Sequence, residues 1–126
     1  MTKKWIVRVL LLALVAAIGA TSVFALIPGN MGGQGGDMWH WLAFVTLGIL
    51  SRLTFSRASF LLLWVALIAF GGAIELAQGF LNTMRDMNVR DLQVDALASF
   101  VGLVIGAIFL ALYRRLSAPA GTETGQ

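Results

Sequence analysis

The sequence predicts an all-α integral membrane four-helix bundle with both termini cytoplasmic. Three observations predict it. Of 126 residues, 59% are hydrophobic and 12% charged, with a mean hydropathy of +0.86, and a soluble chain of this size needs far more polar surface to cover itself. The apolar residues gather into four runs, and a bilayer crossing takes about 20 apolar residues. The Lys and Arg residues sit at the ends of those runs, unevenly between the two sides. Cysteine is absent, which removes disulfides, thiolate metal sites and cysteine nucleophiles. A net charge of +3, spread this sparsely, does not suggest a nucleic-acid partner.

The first run, 6–27, has Lys3, Lys4 and Trp5 ahead of it and Arg8 near its start. A rival reading makes it a signal peptide with Val23-Phe24-Ala25 at the cleavage site, but the run is longer than the usual h-region of about 7–15 residues. The expectation is an uncleaved span. The second run, 38–55, is shorter and ends near Arg52; the third is 60–81 and the fourth 92–113. The connections, PGNMGGQGG, the stretch around Ser56-Arg57, and NTMRDMNVRD, are too short to fold alone. Residues 1–116 thus read as one membrane domain, and SAPAGTETGQ, 117–126, as a disordered polar tail.

Orientation follows from the charges. Lys3, Lys4, Arg8, Arg52, Arg57, Arg114 and Arg115 fall on one side, and Arg85 and Arg90 on the other. The positive-inside rule makes the first side cytoplasmic, as in a multi-pass protein of a bacterial-type inner (plasma) membrane. Trp39 and Trp41 then lie at the outer interface, Trp5 and Tyr113 at the inner one, with Trp64 slightly deeper.

With that topology the polar residues converge. Asp37 and His40 open the second span three residues apart, on one side of a helix. Glu75 and Gln78 lie near the outer end of the third span with the same spacing. Asp91 and Asp95 open the fourth, and Ser99 continues their stripe. Arg85 and Arg90 lie in the outer loop. Glu75 precedes Leu81 by six residues, about 9 Å below its helix end at 1.5 Å per residue. A carboxylate at that depth must be protonated or paired, and His40, Arg85 and Arg90 are the partners at hand. Buried ion pairs can lock helix register without chemistry, but this many polar groups at one depth favour a ligand or reaction site. Gly102 and Gly106, with Gly71, Gly72 and Gly79, read as packing faces within the monomer, although a homo-oligomer stays open. The Gly-rich outer loop lacks the Lys-Ser/Thr of a phosphate loop, and Met31, Met84 and Met87 read as interfacial packing residues.

Asp37-Met-Trp-His40-Trp-Leu-Ala-Phe44, Glu75-Leu-Ala-Gln78, Arg90-Asp-Leu-Gln-Val-Asp95, and Gly102 with Gly106 occur in an order and spacing that resembles the VanZ-like membrane proteins over about residues 37–107. Met38, Phe44 and Ser99 stand where that family commonly has Lys, Tyr and Asn, and its loop arginine maps to Arg85 or Arg90. The resemblance implies a small helical membrane protein of the cell envelope, with a role in glycopeptide (teicoplanin) resistance. The expected partner is a membrane lipid or another amphiphile, its anionic head group held by the loop arginine and its polar part by His40, Glu75 and Gln78. The alternatives are an intramembrane enzyme on a lipid-linked substrate, with His40 as acid or base, and a proton-coupled carrier or partner-stabilising subunit. No HExxH or GxSxG is present. A site without cofactor or metal is therefore expected, although His40, Glu75 and Asp95 together are a donor set that suits a divalent ion.

Overall fold

The chain is all-helical in a computed structural model that describes residues 3–26, 36–81 and 89–121. The helices are α1 (Lys3–Leu26), α2 (Gly36–Thr54), α3 (Phe60–Leu81) and α4 (Val89–Ser117). α3 has the bounds its hydropathy predicts. α4 is longer than predicted, 29 residues, or about 44 Å at 1.5 Å per residue. It outruns its apolar core because Asp91 in the first turn and Arg114-Arg115 in the last complement the helix dipole. Ser117 is its last residue, so the expected polar tail begins on a helix; residues 118–121 are exposed without regular structure, and 122–126 lie outside the described residues.

Among the described residues α1, α3 and α4 are long and apolar enough to cross a membrane. The second expected run is the helix α2, which falls short of the other three in apolarity. Its 19 residues include Asp37, His40, Ser51 and Arg52, which dilute its hydropathy. Packing compensates, because α2 touches all three other helices and packs most closely on α4. α3 also touches all three, whereas α1 touches α2 and α3 only.

The α2–α4 contact is made of backbone. A side chain at Gly102 would collide with the Val45 carbonyl, and one at Gly48 would come 2.7 Å from the Ser99 carbonyl and 2.8 Å from the Leu103 nitrogen. At Gly106 a Cβ would lie 2.8 Å from that of Arg52. The glycines that read as a packing face therefore pack within the monomer. These pairs advance together along both chains, so α2 and α4 are parallel. α3 runs antiparallel to α4: Gly71 faces Asp95, while Phe60 and Trp64 stack edge-on against Phe100 at 5.3 and 5.4 Å. Between α2 and α3, Ser59 caps the new helix by accepting the Leu62 N–H at 3.1 Å, and Arg52 Nη1 donates to the Ala58 carbonyl at 2.8 Å.

The core is a set of helical stripes: Phe44, Leu47, Gly48 and Ser51 on α2; Leu63, Leu67, Gly71, Ile74, Glu75 and Gln78 on α3; Asp95, Ala98, Ser99, Gly102, Leu103 and Gly106 on α4. Five polar residues, Ser51, Glu75, Gln78, Asp95 and Ser99, are buried inside. The exterior carries exposed Leu12, Val15, Leu62, Phe80, Phe109 and many other large apolar side chains. An apolar outside around a partly polar inside fits a chain whose solvent is hydrocarbon.

Candidate functional site

Parallel α2 and α4, with α3 antiparallel to them, bring the N-termini of α2 and α4 together with the C-terminus of α3. Gln78 adds the C-terminus of α1, its Nε2 donating to the Ala25 carbonyl at 2.8 Å. This end holds Asp37, His40, Glu75, Gln78, Arg90, Asp91 and Asp95. The opposite end holds Lys3, Lys4, Arg8, Arg52, Arg57, Arg114 and Arg115. The helices thus sort acids and bases as the span ends predict.

The centre of the acidic end is a contact between α2 and α4. His40 Nδ1 lies 2.7 Å from Asp95 Oδ1, a hydrogen bond between a side chain 16% exposed and one fully buried. The other ring nitrogen, Nε2, faces Asp91 Oδ2 at 3.9 Å. Asp91 and Asp95, one turn apart on α4, thus flank the imidazole. Glu75 completes the cluster from α3: one donor atom each of His40, Glu75 and Asp95 lie within 4.8 Å of one another.

Asp95 sits where it does because Gly71 has no side chain. A Cβ there would lie 2.9 Å from Asp95 Oδ2 and 3.3 Å from its Cβ. Oδ2 is buried with no hydrogen-bond partner among the described residues. Phe44, 2% exposed and 6.0 Å from Phe70 between ring centres, packs beside Gly71 and closes the cluster toward the middle of the bundle. One turn further along α4, Ser99 donates to its own helix at the Ala96 carbonyl, 3.0 Å. Trp64 Nε1 donates to the same carbonyl at 2.9 Å.

The structure divides the residues predicted for the site. His40, Glu75 and Asp95 come together, with Asp91 at their edge. Asp37 shares an α2 face with His40 but turns outward, accepting from Arg90 Nη2 at 2.8 Å in a pair 49% and 71% exposed. Gln78 lies on the α3 stripe with Glu75 but spends its amide N–H on α1. Ser99 is in the core on a local hydrogen bond. Arg85 lies outside the described residues, as do Met31, Met84 and Met87. Two participants were not singled out for the site in the sequence. Gly71 was read as packing, because its role depends on the α3–α4 register. Trp64 ties α3 to α4 through the Ala96 carbonyl, a main-chain acceptor that leaves no mark in the sequence.

Chemically, a carboxylate that orients an imidazole and a second carboxylate beside them can hold a cation, bind a polar head group, or pass a proton. Comparison of the chain with protein-family models, curated proteins and solved structures finds no match.

Proposed function

We propose that the chain is an inner-membrane protein that binds the polar head of a membrane lipid or another amphiphile at the His40–Glu75–Asp95 cluster. The observation that carries this reading is the convergence of one imidazole and two carboxylates within 4.8 Å, contributed by three different helices whose outer surfaces are apolar. Ionisable groups inside a membrane bundle are expensive and are retained for binding, transport or catalysis. The exposed Asp37–Arg90 pair lies at the mouth of the same end. The planar fork of Arg90 suits a phosphate or carboxylate, and an exposed ion pair such as Asp37–Arg90 is weak enough to be exchanged for one. The excess of basic residues at the opposite end supports a reading with the cluster in the outer leaflet and both termini in the cytoplasm. Envelope function, and glycopeptide resistance in particular, rests on the order of the residues shared with VanZ-like proteins.

A phospholipid carrying a photoreactive group near its head should label the cluster-bearing end, at residues of the first two turns of α2 and α4. Labelling confined to the end with Arg52 and Arg114 would contradict the reading. The intramembrane enzyme is the second reading, favoured by the 2.7 Å His40–Asp95 contact, which orients an imidazole as a general base requires. Turnover of a polyprenyl phosphate by the purified protein, lost in His40→Ala, would promote it.

A further inference from the structure

We infer that His40, Glu75 and Asp95 form a binding site for one divalent cation of the zinc class. The inference deepens the reading of this cluster as a ligand site and rests on it. One imidazole nitrogen and two carboxylate oxygens are a donor set that suits such ions. Their donor atoms lie within 4.8 Å, while ligands at about 2.1 Å around a tetrahedral ion are about 3.4 Å apart. The cluster would close by at most about 1.4 Å, within reach of side-chain rotation.

Three further observations point to an ion. The Asp95 carboxylate is fully buried, yet only Oδ1 is engaged by His40, and Oδ2 has no hydrogen-bond partner among the described residues. Buried polar atoms are nearly always satisfied, so an orphan invites a ligand. Gly71 leaves that oxygen room that any other residue would take. Asp91 Oδ2, 3.9 Å from Nε2, is too far for a hydrogen bond but lies on the side of the ring from which an outer carboxylate orients a metal-bound histidine once the ring settles on an ion. Charge agrees as well: two carboxylates and a neutral imidazole balance one divalent cation, which a low-dielectric interior favours over two bare anions. On binding, the cation takes one ring nitrogen of His40 and one carboxylate oxygen each of Glu75 and Asp95, and any proton displaced from the cluster leaves to solvent. Three protein ligands leave a coordination position open. An oxygen of an anionic head group can take it.

The test is metal uptake by the full chain in detergent, stripped with EDTA and titrated with Zn2+ alone, then with Co2+ for its visible spectrum. The expected result is one saturable Zn2+ per chain. His40→Gln and Asp95→Asn should each weaken binding by about 100-fold or more, and Asp91→Asn by the smaller factor, about 10–100-fold, typical of an outer partner. The Co2+ bands of the wild type should be lost in His40→Gln. Circular dichroism and elution volume identify variants that fold; if Asp95→Asn does not, His40→Gln and Glu75→Gln decide. Absence of saturable uptake by the wild type, or wild-type affinity in folded His40→Gln, overturns the site. Because the titration contains no lipid ligand, a chain that retains lipid but takes up no Zn2+ rejects the ion and spares the lipid site.

Discussion

Asp95 has no exposed surface and faces His40 on one side and Gly71 on the other. A carboxylate in that position is stable only while both neighbours keep their shape. Gly71→Ala puts a methyl group 2.9 Å from Oδ2 and 3.4 Å from the Phe44 ring, and overpacking of this kind costs about 1–3 kcal/mol. The loss should appear as a lower midpoint in a denaturant titration of the purified chain. It should shrink when Asp95→Ala is added, since the nearest obstacle is then gone; equal losses with and without Asp95 would mean that the contact is not what makes Gly71 necessary. Of this neighbourhood, His40, Glu75 and Asp95 were legible in the sequence, because ionisable residues inside apolar runs stand out. The division of labour around them was not. Asp37 and His40 share a helix face, yet a shared face does not say that one turns inward to Asp95 and the other outward to Arg90. Gln78 looked like a site residue because its acceptor, the Ala25 carbonyl, is main chain and leaves no mark in the sequence.

At the scale of the helices, α2 and α4 form the most closely packed pair. Their backbones touch along Gly48, Gly102 and Gly106, and that approach is what lets a short His40 side chain reach Asp95 across the interface. Gly102→Ala should therefore destabilise the chain by about 1–3 kcal/mol and disturb the His40–Asp95 contact with it. Gly19 on α1 has nothing within 4 Å of where its Cβ would be, so Gly19→Ala should be neutral or stabilising by up to about 1 kcal/mol. Thermal unfolding of the two variants in one detergent checks both; a similar gain in both would show that helix propensity, not the α2–α4 contact, sets the effect. Hydropathy located α3 to the residue, because nothing charged interrupts it before its ends. At α2 it finds the helix but not its surroundings: His40 and Ser51 are covered by neighbouring helices, a covering that only the packing reveals. It undercounted α4, whose charged first and last turns are helical although they are not apolar.

For the whole molecule the decisive feature is polarity of two kinds. Apolar side chains cover the exterior while Glu75, Gln78, Asp95 and Ser99 lie inside, and among the described residues the acids gather at one end while the bases other than Arg90 gather at the other. The second pattern was readable from the sequence as soon as the runs alternated in direction. The first required the helix faces, since hydropathy alone does not say which way Glu75 or Asp95 points. Together they describe a bundle with a charged end and a membrane-compatible wall. The most direct test is native mass spectrometry of the chain purified from membranes in mild detergent, wild type against Glu75→Gln, with the retained lipids identified after release. The account predicts that the wild type carries a bound amphiphile of defined mass that the folded variant loses; the same lipids at the same occupancy in both would contradict it.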